Sequence, residues 1–151
     1  MARFLQRLLD DDRGFSAAEF ALVLPILLIL SVGTVEYSRL ILLTQKLQSG
    51  AFILADLTAR DKTLSTEQLG NIFLALDQVI APFAFETSGR AIVTSIGVDA
   101  SDDPVVNWQC VGAGDLSATS ELGTSGGEAT LPADLTISAG ETIIASEVYF
   151  V

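Results

Sequence analysis

Residues Phe15–Val35 read FSAAEFALVLPILLILSVGTV, an apolar run of about 21 residues carrying a single charge, Glu19. Coiled into a helix rising about 1.5 Å per residue, this run matches the ~30 Å hydrocarbon thickness of a bilayer, so one helix suffices to cross it. Ahead of it, Arg3, Arg7 and Arg13 are interleaved with Asp10, Asp11 and Asp12. Basic rather than acidic residues set orientation, so the arginines favour a cytoplasmic N-terminus, although Arg39 and Lys46 beyond the run reduce the contrast. A cleaved secretory signal is the competing reading. Its apolar core spans ~7 to 15 residues, whereas this run continues past Pro25 to Leu30 before Ser31 and Gly33 supply a small-x-small pattern.

The rest of the composition excludes more than it specifies. The chain has 151 residues, 50% of them hydrophobic, and a net charge of -11; mean hydropathy is +0.50, high for a soluble domain of this size. Arg90 is the last basic residue, and Asp99, Asp102, Asp103, Asp115, Glu121, Glu128, Asp134, Glu141 and Glu147 follow it. Phosphates would be repelled by that half, so no nucleic acid is expected as a partner. The lone cysteine, Cys110, closes no intrachain disulfide and leaves the redox compartment open. With no histidine in the chain, the commonest general base and metal ligand is missing. No carboxylate pair stands in a recognisable catalytic frame, so the expectation is no enzymatic activity, no cofactor, no metal and no small-molecule substrate. Asp99, Ser101, Asp102 and Asp103 lack the register of a calcium loop and run into Pro104, which reads as an acidic turn.

Glu19 is the anomaly. A charged side chain at a helix centre costs about 2.5 to 3.5 kcal/mol on insertion scales and less near an interface. Four residues into the span, Glu19 is either a boundary charge reaching the headgroups or a carboxylate that neutralises a partner. Such a partner would exist if Phe15 became a free N-terminus, whose amine is cationic near neutral pH. Pro25 removes one backbone donor and marks a kink, which membrane helices tolerate.

These residues resemble a family. Gly14, Phe15 and Glu19 at the fifth position of the apolar segment match the prepilin processing pattern, and RGFSAAEFALVLPILLIL followed by GTVEYSRL is similar to the TadE/TadG-like pseudopilins of tight-adherence (Flp-type) pilus systems. The similarity is close from Leu8 to Arg39 and looser through LQSGAFILADLTARD. It implies that a prepilin peptidase cuts between Gly14 and Phe15 on the cytoplasmic side, and that Glu19 assists recognition or pairs with a neighbouring subunit's new amine. Glu36, Tyr37 and Arg39 are the family signature after the span. The implied setting is a bacterial inner membrane, single-pass, with a periplasmic C-terminal portion that can enter the extracellular pilus. The implied partners are the peptidase, other pilins or pseudopilins, the pilus assembly platform and the lipid bilayer. An uncleaved bitopic anchor carrying an extracytoplasmic binding module is the alternative. Family members usually end in an aromatic, proline-containing tail, whereas this sequence stops at Val151 after EVYF. Either the tail is absent or the chain is shortened, and an edge strand left open there would invite a partner.

Small or apolar residues at Leu40, Leu43, Leu47, Gly50, Leu54 and Leu57 alternate three and four apart, predicting that the first helix continues to near Arg60. Arg39, Lys46 and Arg60 form a basic stripe beside that seam, a solvated face or a counter-surface for the acidic half. In STEQLGNIFLALDQVIAPF, Ser65 and Gln68 have capping-box spacing, and Leu69, Ile72, Phe73, Leu76, Val79 and Ile80 make one apolar face ending before Pro82. That predicts a second, amphipathic helix packed on a sheet. AIVTSIGV, VVNWQCV and ETIIASEVYFV read as strands, and the Gly, Ser and Thr-rich run between the last two as a loop. The expected organisation is a leader at 1–14, a membrane helix at 15–35, a helical stem at 36–60 and an acidic head at 61–151 with a mobile loop near 112–130. The fold class is α+β, a long N-terminal helix with a second helix and a small antiparallel sheet, in keeping with a pilin-like shape.

Overall fold

The computed structural model describes residues 13–61 and 63–151, with backbone alone for residues 13–17. In chain order it contains α1 (Arg13–Arg60), α2 (Thr66–Ile80), a single turn α3 (Phe85–Ser88), and the strands β1 (Gly89–Val98), β2 (Pro104–Gly112) and β3 (Ile143–Phe150). The class is α+β, as the sequence predicts. Residues divide into two compact units at Leu42/Leu43. In the first, among the described residues, large apolar side chains of α1 such as Phe20, Leu22 and Ile29 stay exposed.

The second unit holds the packed core. The predicted capping box opens α2: Ser65 Oγ accepts from the Gln68 amide at 3.2 Å, and Gln68 Oε1 accepts from the Ser65 amide at 2.8 Å. Two of the orphan donors at this helix start are thereby satisfied. Its far end is met by Lys46, whose Nζ donates to the Val79 carbonyl at 2.9 Å, where the helix leaves carbonyls unpaired and a cation is favoured. Phe73, Leu76 and Ile80 turn inward and cluster with Leu54 of α1, Phe85 of α3, and Ala91 and Val93 of β1. Gly50 is where the two long helices approach closely, since a Cβ there would lie 2.7 Å from Leu76 Cδ1. On the sheet side, Ser146 Oγ of β3 donates to the Ala51 carbonyl of α1 at 2.6 Å. Phe150 closes the end of this core, edge-on to Phe83 at 6.2 Å and stacked against Phe85 at 6.4 Å between ring centroids.

The three strands are antiparallel in the order β2-β1-β3, so β1 is central and buried on both faces. Ala91 and Val93 face the helices, while Ile96 faces a second cluster with Val106 and Ala129, flanked by Leu122, Leu131, Ile137, Ile143 and Ala145. The alternation in β2 breaks at a bulge, because Ser95 pairs with Trp108 but Ile96 pairs with Val106, leaving Asn107 extra. Trp108 and Cys110 therefore pack toward the helices, whereas Val106 turns to the opposite layer.

That opposite layer is the long β2–β3 connection. It is held by backbone bonds from Val106 to the Gly127 carbonyl at 2.9 Å and from Ala129 to the Pro104 carbonyl at 2.8 Å. Gln109 Nε2 donates to both Thr94 Oγ1 at 3.0 Å and the Gly123 carbonyl at 3.2 Å. Glu147 of β3 is a second anchor, accepting from Ser120 Oγ at 2.5 Å, the Glu121 amide at 2.9 Å and the Tyr149 hydroxyl at 2.8 Å. The connection leaves β2 through Gly114 at φ 88°, where a Cβ would collide with the Gly89 carbonyl. The acidic run Asp99–Asp103 is the β1–β2 turn. Asp99 Oδ1 accepts from the amides of Ser101 at 2.8 Å and Asp103 at 3.0 Å, which is the work of a turn carboxylate.

Two measurements check this architecture. Leu54→Ala is expected to lower the unfolding free energy by about 2 to 5 kcal/mol, the range for a buried leucine that leaves a cavity, while Leu74→Ala on the exposed face of α2 stays within about 0.5 kcal/mol. Denaturant unfolding of the detergent-solubilised chain, followed through its one tryptophan, reads both. The Tyr149 phenol is pushed up to about 12, first by burial, then by its hydrogen bond to Glu147 and the negative charge of Glu147 and Glu121. The folded state thus holds this proton more tightly than the unfolded chain, whose tyrosine titrates near ~10. The resulting stabilisation is complete below that value and disappears as the pH rises through about 12. In a Tyr37→Phe background, tyrosinate absorbance is expected to titrate at this raised value, and Glu147→Gln to bring it down.

Candidate functional site: the exposed apolar helix

Five consecutive residues, Ile26–Leu30, point in five directions about 100° apart around α1, and every one of them is exposed. Leu22 at 74%, Ile29 at 73% and Val32 at 63% exposure are among the most open apolar side chains of the chain. A helix apolar on all sides has no water-facing surface, which is the signature of a membrane span rather than of a helix docked on its own domain. From Ala18 onward α1 contains a window of mean hydropathy 2.2, long and apolar enough to cross a membrane. It is compatible with a single-pass anchor.

The polar residues inside this apolar stretch are handled by the helix itself. Ser31 Oγ donates to the Leu27 carbonyl at 2.7 Å, Thr34 Oγ1 to Leu30 at 2.8 Å and Ser38 Oγ to Thr34 at 2.8 Å. Each hydroxyl is satisfied four residues back, so none needs water where water is missing. Pro25 lies inside the helix and deprives the Ala21 carbonyl of its usual donor. Sequence reading took Ser31 and Gly33 only as a cleavage pattern and missed the hydroxyl bonds. The signal was the presence of each serine or threonine inside a helical run, four residues after a carbonyl it can reach.

The residues singled out in the sequence all fall on α1. The Gly14–Phe15 bond lies within α1, at the start of the described residues. The Phe15 side chain and the leader residues 1–12 lie outside what the structure describes. Glu19 is exposed one turn further on. Glu36, Tyr37 and Arg39 follow the span and are exposed, and the structure does not bring Glu36 and Arg39 together as an ion pair. Among the described residues the ion pair is Arg60 with Asp56 at 2.7 Å. With Lys46 on Val79, two members of the basic stripe are engaged on or beside α1 and do not meet the acidic C-terminal residues. In the second unit, half-buried Cys110 has its thiol pushed up by burial, which favours the unreactive protonated form.

A family model described as TadE-like protein matches residues 14–55. This segment is TadE-like. No curated protein and no solved structure matches the chain. The TadE-like segment lies wholly within α1 and runs from Gly14, through Glu19, Pro25, Glu36, Tyr37 and Arg39, to the seam residues Gly50 and Leu54 that pack in the second unit. It links the chain to Tad pilus systems and to pilus-related proteins in general as partners.

Placing a charge at mid-span tests the membrane reading. Leu28→Arg is expected to add about 2.5 to 3.5 kcal/mol to the insertion free energy and to move much of the chain out of the membrane pellet. Ser31→Ala, which removes a hydroxyl already satisfied by its own helix, leaves fractionation unchanged.

Proposed function

We propose that this chain is a minor pilin or pseudopilin used in building a tight-adherence pilus, inserted with its leader in the cytoplasm, cut after Gly14 by a prepilin peptidase, and passed to the assembly platform. The observation that carries the proposal is a lone carboxylate, Glu19, at the fifth position of an apolar helix that the chain leaves uncovered, inside the TadE-like match beginning at Gly14. In this reading the chain catalyses nothing, and peptidase chemistry belongs to the partner. Its own work is lateral association of α1 with other pilin helices, which exchange lipid for one another around the exposed Leu and Ile side chains.

Once cut, the Phe15 amine would lie about 6 Å along the axis from Glu19, one turn away. It can be neutralised there by its own carboxylate or by that of an adjacent copy, either of which spares an unpaired charge in a low-dielectric layer.

Intact-mass measurement of the protein from its native membrane tests the reading, with a mature chain starting at Phe15 expected. Recovery of only the full-length chain would favour the uncleaved bitopic anchor instead. Glu19→Ala is expected to leave insertion intact and to reduce leader removal or pilus formation. Normal processing together with normal pili in that variant would remove the role given to Glu19.

A further inference from the structure

Residues 43–151 form an open-mouthed cavity of about 620 Å³ that an assembly role leaves unused. Its volume falls in the ~300 to 1,000 Å³ range typical of small-ligand sites. Trp108 and Ile144 contribute apolar wall, Thr63, Ser95 and Thr142 contribute hydroxyls, and Asp61 contributes the carboxylate.

Ser95 sits at the centre of that lining. In the sheet register it lies opposite Trp108 on one side and opposite Ile144 on the other, so a small polar residue stands between two large ones. It is only 2% exposed. Among the described residues its hydroxyl has no hydrogen-bond partner, and no fully enclosed polar side-chain atom is left unsatisfied, so the surface it retains belongs to the cavity it lines. The indole N–H of Trp108 and the Asp61 carboxylate likewise have no partner among the described residues. Ser95 is the buried one of these, with Trp108 half-buried and Asp61 exposed. Buried polar groups are ordinarily paired, so an unpaired hydroxyl on a cavity beside an indole marks a place where a ligand supplies the bonds.

The chemistry of the lining selects the ligand. Hydroxyls that both donate and accept, an acceptor-only carboxylate and an aromatic wall fit a neutral ring that carries many hydroxyls on an apolar carbon frame. An anion is disfavoured, because among the described residues the charged group in the lining is Asp61 and the chain carries a net charge of -11. A wholly apolar ligand would strand the buried Ser95 hydroxyl without a partner. We propose that this cavity binds a neutral monosaccharide unit, free or at the end of a glycan, with Trp108 as its apolar platform and Ser95 and Asp61 as hydrogen-bonding partners.

Trp108 is the one tryptophan, so its fluorescence reports on the cavity directly. The full chain, held in a detergent without a sugar headgroup, is titrated with glucose, galactose and mannose, with gluconate and choline as charged controls, and with glycans ending in the same sugars. A saturable change with at least one neutral sugar or its glycan is expected, weakened about tenfold in Ser95→Ala and in Asp61→Asn, one hydrogen bond's worth each, with circular dichroism unchanged. Saturation-transfer NMR on Trp108→Phe follows the same sugars without the fluorophore and is expected to show weaker binding. No saturable response by either method, equal affinity in the Ser95 and Asp61 variants, or a response as strong to gluconate or choline would overturn the proposal.

Discussion

The head depends on the burial of Leu54 against Leu76, Ile80 and the helix-facing side of β1. Through this contact a helix whose earlier turns find no cover within their own unit becomes part of a packed core. A leucine taken wholly out of water contributes about 1.5 to 3 kcal/mol, and the residues that gather on it come from every helix of the second unit and from the central strand. Gly50 lets the helices close on that contact, while Ser146 fixes β3 to the Ala51 carbonyl beside it. A three-stranded sheet is a marginal structure by itself, and here one face is supplied by helices and the other by a connection without regular structure.

The two stretches of α1 meet the hydrophobic effect in opposite ways. From Leu43 onward the apolar residues keep to one side, and the chain satisfies them with its own α2 and sheet. Before that, apolar side chains face every direction and, among the described residues, stay exposed. A helix with such a surface requires lipid or other helices as solvent. The TadE-like match spans both stretches, so one continuous helix carries both the exposed apolar surface and the residues that enter the packed core.

Elements whose signals are local were legible in the sequence. Ser65 and Gln68 gave the start of α2, Pro82 its stop, and the strand-forming runs lie within a residue or two of β1, β2 and β3. The long helix was legible from its period and from the absence of any break stronger than Pro25. The features that escaped depend on distant residues. The Ile92, Ile96 and Val98 alternation suggested one apolar side for β1, yet Ala91 and Val93 are equally buried, because the helices cover their face while the β2–β3 connection covers the other. Small residues such as Ala91 and Ala129 carry no hydrophobic signal of their own. Of the candidate site, the span and Glu19 were visible from composition and position, whereas the Ser31, Thr34 and Ser38 bonds require helical geometry to be recognised. The cavity around Ser95 was not legible at all, since its lining is drawn from segments more than 80 positions apart.

The bulge at Asn107 makes β2 tolerant of one kind of change and intolerant of another. Val106 and Trp108, two positions apart, would share a side on a regular strand, yet they serve opposite layers because one residue between them is unpaired. Exchange of Val106 for another aliphatic keeps that partition. Deleting Asn107 would leave Val106 and Trp108 adjacent, and adjacent residues of a regular strand face opposite sides, so the Ser95 and Ile96 pairings and the partition would both survive and only the local bend of the bulge would be lost. Deleting a paired residue such as Gln109 instead turns every side chain beyond it to the other layer. Natural variation in length along this strand should therefore gather at the unpaired residue, while the paired positions on either side change only by replacement.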